Sequence, residues 1–208
     1  MLQFISHTND RLDYASGVRE VLRGGCRWVQ LRMKDASDEE FMRVGHEVAA
    51  MCRAAGATFI VDDRVHLAVR LQADGVHLGR EDMPPRRARD ILGSGKIIGA
   101  TANTLDDMLA AADAGADYIG LGPFRFTTTK ARLSPVLGLD GYSRIMAGFR
   151  RRSAMPVVAI GGITADDVAG LMAAGVSGVA VSGALLGAED PAQATARIMQ
   201  IISKHKQI

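Results

Sequence analysis

The run Gln30-Leu31-Arg32-Met33-Lys34 alternates in a way that, on an extended chain, sets an amide and two cations on one side and two apolar side chains on the other. Cations gathered like this are costly to bury alone, so an anionic ligand rich in hydrogen-bond acceptors would suit them. The competing account is a solvated strand end whose Arg32 and Lys34 stems lie along apolar surface. Two carboxylate pairs follow, Asp62-Asp63 and Glu81-Asp82. Carboxylates from neighbouring strand ends can share one hard cation, and Mg²⁺ keeps further positions for water and phosphate oxygens. Taken singly, each aspartate also fits as a helix N-cap. The segment from Gly122 to Lys130 ends in Thr127, Thr128, Thr129 and Lys130, three hydroxyls and a cation able to donate to phosphate and to charge growing on a leaving group. Finally, Ile160-Gly161-Gly162-Ile163 and Val181-Ser182-Gly183 offer glycine backbone that an anion can approach closely.

The elements that must position these groups show as one repeated phrase. Gly25-Cys26-Arg27-Trp28-Val29-Gln30-Leu31, Gly115-Ala116-Asp117-Tyr118-Ile119-Gly120-Leu121 and Gly175-Val176-Ser177-Gly178-Val179-Ala180-Val181 each begin with a glycine at the end of an amphipathic segment and run on into a short apolar stretch. Glycine suits the left-handed position after a helix, and Val, Ile and Leu suit strands covered by helices. Eight such stretches are expected as strands: Leu2–Ser6, Trp28–Arg32, Thr58–Asp62, Gly75–Leu78, Ile97–Thr101, Tyr118–Gly122, Val157–Ile160 and Gly178–Val181. Helical patterns lie between them, clearest at Ser37–Ala55, Thr104–Ala114, Ala165–Ala174 and Pro191–Ile202, with Ser37 and Glu40 placed as a capping box. Strict alternation implies a parallel α/β sheet, and eight units imply a closed (β/α)₈ TIM barrel, one single domain over residues 1–208; an open doubly wound sheet is the alternative. In a barrel the strand C-termini form the mouth, and the loops after strands seven and eight form a recurrent phosphate cradle. The mouth would then hold two anion sites, a cation-and-carboxylate set suited to pyrophosphate and a glycine cradle suited to a monophosphate. Two phosphorylated substrates in one pocket imply transfer between them, with pyrophosphate leaving.

Composition narrows the class further. The chain has 208 residues, 48% of them hydrophobic, and a formal net charge of only +2, which argues against a nucleic-acid partner. Its start lacks a basic, apolar leader, and no stretch approaches the roughly 20 apolar residues that span a bilayer. With two cysteines and no export signal, the expectation is a cytoplasmic protein with free thiols and no membrane association. Base rates for oligomers favour a homodimer.

In order along the chain, Gln30-Leu31-Arg32-Met33-Lys34, Asp62-Asp63-Arg64, Gly75-Val76-His77-Leu78-Gly79-Arg80-Glu81-Asp82, Gly120-Leu121-Gly122-Pro123 to Lys130, and Ile160-Gly161-Gly162-Ile163 resemble the thiamine-phosphate synthase family from first strand to last helix. The resemblance implies two small-molecule substrates, hydroxymethylpyrimidine pyrophosphate and a phosphorylated thiazole or carboxythiazole, and Mg²⁺ as the cofactor. It implies that Gln30 to Lys34, with Leu31 and Met33 between the polar residues, hold the pyrimidine pyrophosphate together with Asp62 and Thr101. Asp63 and Asp82 correspond to the magnesium ligands, and Lys130, Arg32 and Lys34 to the groups that act on the leaving pyrophosphate. Thr127, Thr128, Thr129, Gly162, Ser182 and Gly183 correspond to the thiazole-phosphate loop and cradle, the last pair also being readable as Val181-Ser182. The implied mechanism is dissociative: pyrophosphate departs, the aminopyrimidine stabilises a methylene cation, and the thiazole nitrogen captures it.

Three positions depart from the family pattern: Asp62 stands for the usual asparagine, Thr101 for a serine, and Thr128 for an acid. An extra carboxylate beside pyrophosphate is unfavourable unless screened, so Asp62 is expected to join the metal's coordination sphere directly or through water, with Arg64 or Lys34 offsetting the remaining charge, the competing account being a helix cap. His77 could bond substrate or be a satisfied core histidine, while Cys26, Cys52, His46 and His205 read as packing or surface. The alternatives in function are a thiazole tautomerase, a sugar-phosphate or indole-phosphate barrel enzyme, and a non-catalytic barrel that binds thiamine intermediates.

Overall fold

The computed structural model describes residues 1–126 and 135–205. Strand and helix alternate throughout: β1 Leu2–Ile5, α1 Tyr14–Arg23, β2 Trp28–Leu31, α2 Asp38–Ala54, β3 Thr58–Asp62, α3 Val65–Arg70, β4 Gly75–Leu78, α4 Pro85–Leu92, β5 Ile97–Ala102, α5 Leu105–Asp113 and β6 Tyr118–Leu121. After the segment that follows β6 come α6 Gly138–Arg150, β7 Val157–Ile160, a 3₁₀ turn Ala165–Asp167 running into α7 Val168–Ala173, β8 Gly178–Val181, α8 Gly183–Leu186 and α9 Pro191–His205. Every strand pair is parallel, and β1 pairs with both β2 and β8, so the sheet closes in sequence order. Closure removes the open-sheet alternative. The expected strands stand within a residue of the observed ones, with Ser6, Arg32 and Gly122 just past their strand ends.

The sheet separates two kinds of residue by parity. Phe4, Val29, Leu31, Phe59, Val61, Val76, Leu78, Ile98, Ile119, Leu121, Val157 and Val179 join the core between strands and helices. Positions of the opposite parity face the barrel interior: Gln3, Trp28, Gln30, Asp62, His77 and Tyr118, with glycines at 75, 99, 120 and 178. Gly99 is needed there, since a Cβ on it would stand 2.1 Å from Tyr118 Cζ. The helix-ending glycines Gly25, Gly115 and Gly175 all take positive φ, of 94°, 87° and 96°, as the repeated phrase required.

Local hydrogen bonds fix the helix entries. Ser37 Oγ accepts from the Glu40 N–H at 3.1 Å, and a complete reciprocal box stands at Thr104–Asp107. The buried Tyr142 hydroxyl bonds to Leu121 O and accepts from the Ile160 N–H, which ties the C-terminal ends of β6 and β7 together. Among the described residues no helix is long and apolar enough to cross a membrane.

Candidate active site

The side chains of Gln30, Arg32 and Lys34 meet those of Asp62 and Asp63 across the β2–β3 seam. Gln30 is 2% exposed and its Nε2 donates to Asp62 Oδ1 at 2.7 Å. Arg32 Nε lies 3.5 Å from Asp62 Oδ2, and Lys34 Nζ lies 3.9 Å from Asp62 Oδ2 and 3.7 Å from Asp63 Oδ2. Leu31 and Met33 belong to the helix-side core, so of that five-residue segment they can offer the mouth only backbone. The helix-cap account of Asp62 is overturned. Its position at the end of β3 turns the carboxylate inward, and the N-cap position of α3 is Arg64, which makes no side-chain cap bond. The Gln30 Oε1 atom is buried without a hydrogen-bond partner.

Ser6, which sequence reasoning did not assign, and Arg64, expected there as an offset to the Asp62 charge, hold this seam in place. Ser6 Oγ accepts from the Arg32 N–H at 2.8 Å, fixing the chain as it leaves β2. Arg64 donates to Ala36 O at 2.6 Å, reaches Lys34 O at 3.3 Å, pairs with Asp38 at 2.9 Å and lies over the Phe41 ring. The only signal for Arg64 was its place directly after the two aspartates.

Asp63 and Asp82 come together from the ends of β3 and β4. Asp63 has φ +66°, an unusual backbone for a non-glycine residue that turns its side chain out of the strand direction. Its N–H donates to His77 O at 2.8 Å, while Asp82 Oδ2 accepts the Gly79 N–H at 2.6 Å. Burial first, and the neighbouring Asp82 carboxylate second, push the Asp63 carboxyl above its ordinary value against the pull of Lys34. A cation between the pair would relieve that repulsion. Among the described residues no group of three or more His, Cys, Asp or Glu side chains is arranged to hold a metal. Two carboxylates alone fit Mg²⁺, which takes the remainder of its shell from water and phosphate.

Deeper in the barrel, His77 Nδ1 lies 2.9 Å from the Tyr118 hydroxyl, and Nε2 lies 3.0 Å from Thr101 Oγ1. His77 is therefore a satisfied interior histidine, and it reaches one of the expected substrate residues, Thr101. Sequence reasoning missed Tyr118.

On the far side of the mouth, the chain leaving β6 lies against the β7 loop. Phe124 N donates to Ile160 O and Arg125 N to Gly161 O. The Arg125 guanidinium makes two bonds to Asp167, at 2.7 and 2.8 Å, and one to Gly162 O at 2.9 Å. Asn103, buried, donates to both Gly122 O and Pro135 O at 2.9 Å. Gly161 and Gly162 have φ of 97° and 66°, and added Cβ atoms would strike Pro123 Cα at 2.7 Å and Arg125 Cγ at 2.4 Å. Packing against the β6 segment thus already demands these two glycines. Gly183, the first residue of α8 after Ser182, has open space where its Cβ would stand. Thr127, Thr128, Thr129 and Lys130 lie outside the described residues.

Comparison with known proteins shows the family and the fold. Residues 2–185 match the family described as thiamine monophosphate synthase. Thiamine-phosphate synthase of Bacteroides fragilis is 52% identical over 201 residues, spanning 96% of this chain and 98% of that protein. The same-named protein of Moorella thermoacetica is 41% identical over 187 residues, spanning 90% of this chain and 87% of its own length. Among solved structures, thiamine phosphate pyrophosphorylase from Pyrococcus furiosus superposes with a TM-score of 0.87 at 37% identity, covering 98% of this chain and 96% of that one. A solved chain from Bacteroides thetaiotaomicron, at TM-score 0.71 and 13% identity over 97% of both chains, shares the fold. This chain belongs to the thiamine monophosphate synthase family.

Proposed function

We propose that this protein is a cytoplasmic transferase that moves the hydroxymethylpyrimidine group from its pyrophosphate to a thiazole phosphate, giving thiamine phosphate and pyrophosphate. The observation that carries the reading is the seam where Gln30, Arg32 and Lys34 face Asp62 and Asp63, with Asp82 beside Asp63, at the mouth of a barrel from this family. Arg32 and Lys34 bind and orient the pyrophosphate, replacing the water that would otherwise surround its charge. Gln30 offers its unpartnered Oε1 as an acceptor for a donor group on the pyrimidine. Asp63 and Asp82 would hold Mg²⁺, which when bound supplies positive charge to the leaving pyrophosphate. Lys130 and Thr127 to Thr129 carry the family's leaving-group and thiazole-phosphate contacts, with Gly162, Ser182 and Gly183 completing the cradle.

The protein contributes position and electrostatics rather than a covalent bond. Its two thiols accord with that reading: Cys26 and Cys52 lie in the helix-side core, and burial pushes the Cys52 thiol up to about 12. The test is to incubate purified protein with both substrates, with and without Mg²⁺, and to assay pyrophosphate and thiamine phosphate. Magnesium-dependent formation of both products together is the expected result. A tautomerised thiazole carboxylate without pyrophosphate, or no product at all, would overturn the reading.

A further inference from the structure

Four side chains from four different strands form one hydrogen-bonded line through the barrel interior toward the mouth. Gln3 Nε2 of β1 donates to the Tyr118 hydroxyl of β6 at 3.1 Å. Tyr118 lies 2.9 Å from His77 Nδ1 of β4, and His77 Nε2 lies 3.0 Å from Thr101 Oγ1 of β5. The first three are 2%, 2% and 5% exposed, and Thr101 is half-buried at the mouth end. The fold makes room for this line. A Cβ on Gly99 would meet Tyr118 Cζ at 2.1 Å, and one on Gly120 would meet His77 Cε1 at 3.0 Å, while Trp28 packs edge-on against Tyr118 at 4.8 Å. Burying three polar side chains in a barrel core is unfavourable compared with filling it with apolar ones, so a line that ends at the mouth calls for a use there.

Its polarity can be followed atom by atom. An amide NH₂ can only donate, so the Tyr118 oxygen accepts from Gln3 and turns its own hydrogen toward its other neighbour, His77 Nδ1. Burial, with the Asp62 charge adding to it and the Gln3 bond opposing, raises the Tyr118 pKa, so the phenol keeps the hydrogen that it gives. A ring that accepts at Nδ1 carries its proton on Nε2 and donates it to Thr101 Oγ1. Having accepted, the Thr101 hydroxyl has its hydrogen left to direct outward.

We infer that Gln3, Tyr118 and His77 are positioning residues which fix the Thr101 hydroxyl as a hydrogen-bond donor to an acceptor atom on the pyrimidine pyrophosphate. The inference rests on the proposed function for the substrate's name, but the order of the donors does not. Without the line, the hydroxyl could turn toward His77 and leave the substrate's acceptor unmatched, which sets the ring state of His77 as part of substrate selection.

The test reads the ring first. In ¹⁵N-histidine-labelled wild-type protein, with the His77 signals assigned by their loss in His77→Gln, His77 should show the neutral tautomer protonated at Nε2. Any other state of that ring, a tautomer protonated at Nδ1 above all, overturns the inference whether or not the protein turns over substrate. Kinetics follow. Thr101→Val should raise KM for the pyrimidine pyrophosphate roughly 2- to 10-fold, the scale of one hydrogen bond, with KM for thiazole phosphate unchanged and activity kept by Thr101→Ser. Tyr118→Phe should produce a smaller rise in the same constant and little further rise when added to Thr101→Val. Equal effects of Tyr118→Phe in the two backgrounds would mean that Tyr118 acts only on folding, and would also overturn it. Absence of product formation in the wild type, with the tautomer as expected, would instead count against the proposed function alone.

Discussion

Replacing Asp62 by asparagine keeps the shape of the side chain and its acceptor for Gln30, and removes only the charge that Arg32 and Lys34 face. Arg32 Nε stands 3.5 Å from Asp62 Oδ2, where two unit charges interact by about 5 kcal/mol at an effective dielectric of about 20. Desolvation of both groups offsets much of this attraction, and truncating one member of a fully buried pair costs about 3–5 kcal/mol. Arg32 keeps 18% side-chain exposure, and Lys34, at 44%, contributes little because water screens it. The expected loss is therefore about 2–3 kcal/mol, a fall of roughly 5–10 °C in the melting midpoint for a chain of this length. Inorganic pyrophosphate should restore much of it. With Asp62 gone Arg32 loses this counter-charge and Lys34 keeps Asp63, 3.7 Å away, so pyrophosphate should raise the midpoint of Asp62→Asn by more than it raises the wild type. Scanning calorimetry of both proteins over a pyrophosphate series measures this directly. Equal midpoints, or equal pyrophosphate shifts, would refute the counter-ion role. A magnesium midpoint that moves strongly in the variant would show that Asp62 joins the metal's coordination sphere as well.

Asp63→Asn and Asp82→Asn should each raise the Mg²⁺ concentration needed for half-maximal turnover, because each removes a hard anionic ligand; unchanged magnesium titrations in both would remove the metal assignment. Lys130→Ala should lower turnover by roughly 10²–10³-fold, the scale of losing one donor to developing charge, and a change confined to the thiazole KM would move Lys130 to the other substrate. Asp167 would be raised by burial, but its bonds from Arg125 and the Thr164 N–H outweigh that and hold it below its ordinary value. Its stabilisation is thus complete above the unfolded carboxylate value of about 3.9 and lost as pH falls through the lower folded one. Asp167→Asn should therefore melt a few degrees below wild type at neutral pH, with the gap closing toward acid in a calorimetric pH series. Gly99→Ala should cost about 1–3 kcal/mol in thermal unfolding through overpacking against Tyr118.

The strands were legible because each is short and apolar on its helix side, and several are preceded by a helix-ending glycine, as at Gly25, Gly115 and Gly175. Closure was less so. The β1–β8 pairing that completes the barrel joins residues at opposite ends of the chain, and periodicity carries no trace of it. Within the site, alternation correctly put Gln30, Arg32 and Lys34 on one side and Leu31 and Met33 on the other. Charge favoured an Asp62 turned toward the metal over one that caps α3, but alternation alone could not exclude the cap, because that depends on Arg64 taking the N-cap position. Gly161 and Gly162 show a second limit. Their sequence fitted an anion cradle, yet Pro123 and Arg125 crowd both positions from a neighbouring loop that local sequence cannot reveal. The interior line was visible only in outline. Gln3, His77 and Tyr118 are polar residues at inward parity, and Gly99 and Gly120 are the small ones that admit them, but their meeting requires the closed barrel.

Among the described residues, several polar side chains of this mouth are already held by one another: Arg32 and Lys34 by Asp62, the His77 ring by Tyr118 and Thr101, and Arg125 by Asp167. Such pairing reduces the ordering that substrate binding must otherwise supply. What is left unmatched is then informative. Gln30 Oε1 is buried without a partner, and burial together with the adjoining Asp82 carboxylate pushes the Asp63 carboxyl above its ordinary value. An unpaired buried acceptor and two crowded like charges both cost stability. Each is relieved by the group that the reaction would bring, a donor on the pyrimidine for the first and a cation for the second. Trp28 Nε1 is also unpartnered, but it stands at the start of β2, below Gln30 and away from the mouth, where a bound substrate would not reach. The two unfavourable features at the mouth converge on Asp62 and its neighbours from β2 to β4, which is where sequence alternation had already gathered the cations.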